Sequence, residues 1–529
     1  MLFTSYSFLG FLLVLFLLYY LLPKKLQWPL LLVFSYLFYF FANPSYLLYI
    51  LATTISVYLL ACKIEKIHEE QVCYIKEHKE LSKDEKKAYK GRMKSRQWKA
   101  LLIGLFINLG ILGVIKYTNF TIANINALIS CFGGEKQFGF WDIALPMGIS
   151  FYTFQALGYI IDVYRGTCKA EKNLFKFALF VSFFPQLVQG PISRFNDLSK
   201  TLYEEHSFDI KTVSYGLQRI LWGFFKKLVI ADRILVGVNA IIKNPDEYTG
   251  AYVFVGMMFY ALELYADFTG GIDITIGVAE VMGIKVTENF NRPYFSKSIK
   301  EYWRRWHITM GTWFTDYIFY PISICKPMLK ISKFSREHFG EAIGKRIPVY
   351  LSSFAVWLAT GIWHGASWNF VVWGLGNWVV IMISQELEPL YQKFHARFHL
   401  ESNRLFNLFQ VIRTILLMSC LRTFDCYRDV PLTFKMFGTM FTTRNFNVLW
   451  DGSLLQLGLT GLDYGILLAG LILLILVSLV QRKGRVRDII GNYPYPLRFA
   501  VWYGLFLIVL LMGAYGIGYD ASQFIYNQF

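Results

Sequence analysis

Glu288-Asn289-Phe290-Asn291-Arg292-Pro293-Tyr294 opens the stretch on which the reading of this chain turns. It runs on through Glu301-Tyr302-Trp303-Arg304-Arg305-Trp306-His307 and closes on Gly361-Ile362-Trp363-His364-Gly365-Ala366-Ser367-Trp368-Asn369. Two of the chain's eight histidines, His307 and His364, stand here directly after a tryptophan. His307 lies in a basic, aromatic segment. His364 lies in a segment nearly free of charge, where an ionisable side chain inside a membrane is costly and marks a functional site. Residues 288–380 are therefore expected to form the catalytic core, with the rest of the chain as its scaffold.

The surroundings are apolar. The 529 residues are 55% hydrophobic, with a mean hydropathy of +0.40. Apolar blocks such as Phe8–Leu22, Ser45–Ala61, Ala100–Lys116 and Tyr464–Val480 have about the length a helix needs to cross a bilayer. This predicts an all-α, polytopic membrane protein of about 10–12 spans, built as one integral domain over residues 1–529. The net charge of +17 arises from 53 Lys and Arg against 36 Asp and Glu. The basic residues sit between apolar blocks, as the positive-inside rule expects, so the charge speaks for topology and lipid headgroups instead of nucleic acid. A secondary reading is attraction of an anionic cosubstrate such as a nucleotide-bearing thioester. Residues 63–99 carry 12 Lys and Arg against 7 Asp and Glu. Their helix formers allow an exposed helix pair, but the preferred reading is a solvated cytoplasmic loop. Seven cysteines, without a CxxC, point to neither a disulfide framework nor a zinc site. Phe8–Leu22 lacks a basic n-region and reads as a retained span.

Two blocks depart from plain apolarity. Val253–Ile284 carries Glu263, Asp267, Asp273 and Glu280 together with Gly270-Gly271. Acids cost roughly 2.5 to 3.5 kcal/mol at a helix centre, and broken backbone at membrane depth needs protein or a water-filled cavity beside it. This block is expected to break and line an internal cavity. Tyr215–Val236 is interrupted by Lys226, Lys227, Asp232 and Arg233, which predicts an interfacial inner end.

A buried histidine suits general-base chemistry, since its neutral form takes a proton near neutral pH. His364 can activate a hydroxyl for attack on an acyl thioester, or carry the acyl group itself; the residues leave both open. His307 can act as second base, orienter or oxyanion donor. Against these stand a packing role for His364 and an interfacial role for His307, beside Arg304 and Arg305. Arg292, Arg304 and Arg305 can bind phosphate or snorkel to headgroups. Trp303 and Trp306 fit an interface belt or core. Asp267 fits an ion-pair partner or a cavity group. Neither motif histidine has a second ligand at metal spacing. No P-loop, GxGxxG or GxSxG occurs, which disfavours ATP-driven transport and serine-esterase chemistry.

These segments, with Gln189-Gly190-Pro191-Ile192 and Asp267-Phe268-Thr269-Gly270, resemble the membrane-bound O-acyltransferase (MBOAT) family, in its alginate O-acetylation branch, over nearly the whole chain. The resemblance implies a ring-like helical bundle around a transmembrane tunnel, with His364 at the invariant histidine held to be catalytic and His307 at the second motif position. It also implies acetyl transfer from a cytoplasmic donor, acetyl-CoA as substrate with no resident cofactor, to an extracellular polysaccharide. An exported SGNH-type acetyltransferase is the expected partner, and the bacterial cytoplasmic membrane the expected location. Trp303, Arg304, Arg305, Trp306, Asn291, Arg292, Trp363, Asn369 and Asp267 are the expected substrate-side residues. The alternatives are D-alanyl transfer to teichoic acid and, in another class, a transporter or flippase built on the acid-bearing block. The chain departs from the branch at Gly271-Ile272, in the long polar stretch Cys325 to Pro348, and at Asn527.

Overall fold

The computed structural model describes residues 5–135, 137–400 and 402–515; Asn527 lies outside them. Among the described residues helices alternate with turns and no strand occurs, as expected where every backbone group must be satisfied within its own segment. The described chain divides into two compact units, residues 5–213 with 279–287 and residues 214–278 with 288–515.

The first unit holds α1 (Tyr6–Leu21), α2 (Gln27–Ala42), α3 (Tyr46–Glu77), α4 (Lys83–Cys131), α5 (Ile149–Arg165), α6 (Leu174–Ser182), α7 (Phe184–Gln189) and α8 (Phe195–Leu202). The second is built from α9 (Ile210–Phe224), α10 (Asp232–Lys243), α11 (Ala251–Val281), α12 (Ile299–Arg305), α13 (Ile308–Phe314), α14 (Tyr320–Ser323) and α15 (Lys326–His364). It continues with α16 (Trp368–Glu386), α17 (Glu388–Phe398), α18 (Arg404–Tyr427), α19 (Val430–Thr442), α20 (Gly461–Val480), α21 (Val486–Gly491) and α22 (Tyr495–Met512).

Among the described residues, seven helical segments are long and apolar enough to cross a membrane: residues 24–42, α3, α4, α11, α18, α20 and α22. The pair α16–α17, bent by 51°, makes an eighth. The fold is the expected all-α multispan one. The long spans number fewer than ten because apolar blocks are cut into short helices, as Leu174–Val188 is cut into α6 and α7.

The charged stretch 63–99 is helical, not a loop. α3 runs to Glu77 and α4 starts at Lys83, where Ser82 and Glu85 close a reciprocal capping box. A crossing needs about 20 residues, so 32 and 49 residues leave charged ends to continue the same helices. The polar stretch from Cys325 likewise folds into the first half of α15, which breaks at Gly340 (φ +81).

Val253–Ile284 does not break either: α11 passes straight through Gly270-Gly271. Its glycines serve close packing instead. A Cβ on Gly223 of α9 would sit 2.6 Å from the Gly270 carbonyl oxygen, and one on Gly277 would sit 2.8 Å from that of Gly216, the small-residue contact that membrane helices use. The approach brings bases onto acids. Lys226, Lys227, Asp232 and Arg233, expected at an interface, are all buried. The first two lie in a π-helical turn between α9 and α10. Lys227 Nζ meets Asp267 at 2.6 Å and Asp232 at 2.8 Å. Lys226 Nζ meets Asp273 at 2.6 Å and Thr269 at 2.8 Å. Arg233 pairs with Asp463 of α20. Asp267 and Asp273 of α11 thus find cations in this unit, Glu263 keeps one oxygen unmet among the described residues, and the broken backbone that favoured a transport site is absent.

Candidate active site

The network around α11 extends into the first motif. Arg219 Nε donates to Asp273 at 2.9 Å, and its two Nη groups grip Glu288 at 2.6 Å each. Glu288 opens a segment that runs beside the end of α12. Asn291 N–H donates to the Arg305 carbonyl and Ile308 N–H to the Asn289 carbonyl, both at 2.9 Å. Between these two bonds His307 takes a left-handed backbone, φ +48. Such a conformation costs a non-glycine residue about 1–3 kcal/mol and persists where its surroundings enforce it.

The His307 side chain is fully buried. Its Nδ1 lies 3.2 Å from Asn289 Oδ1, which also accepts from Thr309 N–H at 3.0 Å and Thr309 Oγ1 at 2.9 Å. A backbone N–H can only donate, so that Asn289 atom is the oxygen. Nδ1 therefore carries the His307 proton, and Nε2 keeps the lone pair. His307 lies between the membrane-crossing helices, not within one. Burial, and then the Arg422 guanidinium, hold its imidazole down at about 3, far below its ordinary value.

His364 is the last residue of α15. Gly361 and Gly365 let that end press onto the start of α16. A Cβ on Gly361 would lie 2.5 Å from the Phe370 carbonyl oxygen, and one on Gly365 would lie 2.1 Å from the Phe370 ring. The His364 ring is 5.1 Å from the Trp363 ring and 4.6 Å from the Trp373 ring. The His307 ring is 6.0 Å from that same Trp363. Trp363 thus touches both motif histidines, and Phe268 closes the far side of His307 at 5.0 Å.

Beyond Trp373 stands Arg422 of α18. Its Cζ is 4.5 Å from the Trp373 ring, 5.5 Å from Trp306 and 5.7 Å from Trp303, an aromatic cage for a cation. Its Nη1 donates to Asp425 at 2.8 Å. Asn369 Nδ2 reaches the Phe424 carbonyl at 3.2 Å, and Trp303 Nε1 reaches Asn377 at 3.2 Å. Of the expected site residues, His307, His364, Trp303, Trp306, Trp363 and Asn369 are joined in this cluster. Asp267 belongs to the ion network. Asn291 and Arg304 are exposed. Arg292 and Arg305 form a separate group. Arg292 donates to the Ser478 carbonyl near the end of α20 at 3.5 Å, and Arg305 pairs with Glu301 at 2.6 Å.

Residues 170–426 match the membrane-bound O-acyltransferase family. The chain is 31% identical to the "Probable alginate O-acetylase AlgI" of Pseudomonas aeruginosa, over 91% of this chain and 82% of that protein. It is 36% identical to the protein of the same name from Azotobacter vinelandii, over 72% and 68%. It is 29% identical to the peptidoglycan O-acetyltransferase of Helicobacter pylori, over 68% and 65%. The chain belongs to the membrane-bound O-acyltransferase family. It is an O-acyltransferase, and its helices and bacterial relatives make it a multi-pass protein of the cytoplasmic membrane.

The matched region of this O-acyltransferase includes both motif histidines and also Asn289, Trp373, Arg422 and Asp425, which the sequence reading passed over. A signal for the last pair was present. Arg422 and Asp425 are ionisable residues three apart in an apolar helix, and such residues inside a membrane mark function or pairing. Asn289 gave no such signal, because its role depends on the backbone turn at His307.

Proposed function

We propose that this O-acyltransferase takes an acetyl group from acetyl-CoA on the cytoplasmic side and passes it through the membrane for O-acetylation of an extracellular polysaccharide, with an exported SGNH-type acetyltransferase as its partner. The observation that carries the reading is the burial of His307 and His364 against one tryptophan, Trp363. The printed names of the relatives, alginate O-acetylase and peptidoglycan O-acetyltransferase, support a polymer hydroxyl as the end acceptor. His364 acts as the base that takes the proton of the attacking hydroxyl, or as the relay that holds the acyl group. His307, with its proton fixed on Asn289, supports the reaction from the other side of Trp363. Arg292, Arg304 and Arg305 attract the phosphates of the donor.

Thiol release and label transfer from radiolabelled acetyl-CoA test this reading, with purified protein in lipid nanodiscs, with and without the exported partner. His364→Ala is expected to lower the rate by about 10²- to 10⁴-fold, with the protein still inserted. Wild-type turnover retained in His364→Ala would sink the mechanism. Turnover of a D-alanyl carrier thioester in place of acetyl-CoA would replace acetyl transfer by D-alanyl transfer.

A further inference from the structure

Four buried side chains beside His364 keep a polar atom with no hydrogen-bond partner among the described residues: Arg422 Nε, Asp425 Oδ1, Trp373 Nε1 and Asn369 Oδ1. Each such atom costs about 1–3 kcal/mol unless something else satisfies it. They are not scattered. Trp373 is 4.6 Å from His364 ring to ring, Arg422 lies 4.5 Å over Trp373, Asp425 holds Arg422 at 2.8 Å, and Asn369 bonds the backbone next to Asp425. A structural arginine would be expected to use its donors on protein acceptors. Here three tryptophans cage the cation, one carboxylate oxygen of Asp425 and the Tyr302 hydroxyl take its other donors, and Nε is left over. A cluster that presents both unused donors and unused acceptors fits a ligand with a carbonyl and a hydroxyl.

We propose that Trp373 Nε1–H and Arg422 Nε–H are the oxyanion donors of the acyl-transfer step, and that Asp425 is a positioning residue that holds Arg422 for it. This rests on His364 as the base. The acceptor hydroxyl gives its proton to the His364 imidazole, and its oxygen bonds to the thioester carbonyl carbon. The C=O electron pair moves onto oxygen, where the two N–H groups stabilise it. Collapse breaks the C–S bond, and the thiolate leaves with the proton from the imidazolium. Thioester and alcohol become ester and thiol. If the imidazole attacks first, the same oxyanion forms on the same carbonyl, so the donors serve either route. Preorganised donors in a dry site contribute most when aimed at charge that develops only in the transition state.

The test uses inverted membrane vesicles from cells in which the full chain is the sole copy, with radiolabelled acetyl-CoA as the probe and variant levels matched. Trp373→Phe keeps an aromatic ring but removes the N–H together with part of the buried indole, so its rate is read per folded, inserted molecule. Arg422→Gln removes the charge, and Arg422→Lys keeps it without Nε. Loss of one donor is expected to lower kcat by about 10²- to 10³-fold, with KM for acetyl-CoA changed by less than about threefold. Asp425→Asn is expected to fall between these and wild type, and Asp425→Glu to recover part of the loss. Trp373→Phe within about threefold of wild type, alongside an inactive His364→Ala, overturns the inference and leaves the base assignment standing. A loss confined to KM also overturns it, because the groups would then bind the ground state. Activity in His364→Ala overturns both. Should Arg422→Gln fail to insert, Trp373→Phe decides alone.

Discussion

The second unit buries two sets of charges, and they are finished differently. Around α11, Lys227 is shared by Asp267 and Asp232, Lys226 and Arg219 share Asp273, and Arg219 grips Glu288. Of the acids of α11 in this unit, Asp267 and Asp273 face cations, while Glu263 keeps one oxygen without a hydrogen-bond partner among the described residues. Around His364, the cation Arg422 sits over tryptophans, and polar atoms of Arg422, Asp425, Trp373 and Asn369 remain unused. Satisfied charges hold helices at one spacing. On the proposed reading, the unused atoms are left for a substrate. A membrane gives both sets the same desolvation penalty, so the density of ion pairs, not burial, sets the α11 network apart from the proposed site.

That contrast breaks if the network proves catalytic. Asp267→Ala takes from buried Lys227 its carboxylate partner at 2.6 Å, and removing one partner of a buried pair costs about 3–5 kcal/mol. The expected outcome is a sharp drop in folded protein recovered from membranes, read by thermal unfolding in detergent. The molecules that do fold should turn over at close to the wild-type rate. A well-folded Asp267→Ala protein with a lost rate would move Asp267 into the site.

Asn289→Ala sharpens the boundary, because Asn289 belongs to both sets. Its neighbour Glu288 is anchored by the network, and its own Oδ1 accepts from Thr309 twice and from His307. Removing it leaves buried donors unmet, at about 1–3 kcal/mol. It also frees the His307 ring, so stability and rate per folded molecule are expected to fall together. Thermal unfolding and thiol release on the same preparation check this. A stability loss with an intact rate would place His307 outside the chemistry.

The span pattern and both Trp-His segments were legible because membrane crossing and a lone ionisable residue leave local marks. What was not legible is what the local pattern cannot encode. Gly270-Gly271 reads as a helix breaker in isolation and becomes a contact surface only once α9 lies against it. Lys226 and Lys227 look interfacial until Asp267 and Asp273 are brought opposite from some 40 residues away. Arg304 and Arg305 looked alike as neighbours, yet the turn of α12 exposes the first and pairs the second with Glu301. For residues 63–99 the loop was preferred over the helix pair that its helix formers allowed, and α3 and α4 carry the stretch as helix.

The smallest expected effect separates the two histidines by pH. With its imidazole held at about 3 in the folded chain against an ordinary value near 6.5, His307 stays neutral when folded and takes a proton when unfolded. The unfolded state then binds more protons between about pH 3 and 6.5. Stability from this residue is full above about 6.5 and is lost as pH falls below it, with a slope of about 1.4 kcal/mol per pH unit. His307→Gln is expected to remove that part of the slope in detergent unfolding at pH 6.5 to 5, so the difference between wild type and variant is the readout. Above pH 6.5 His307 does not titrate, so an inflection there in the rate profile belongs to another group and should survive in His307→Gln if the variant retains measurable activity. An inflection that moves with His307→Gln would mean that this histidine changes charge during turnover, and its buried, Asn289-held tautomer would no longer describe the working enzyme.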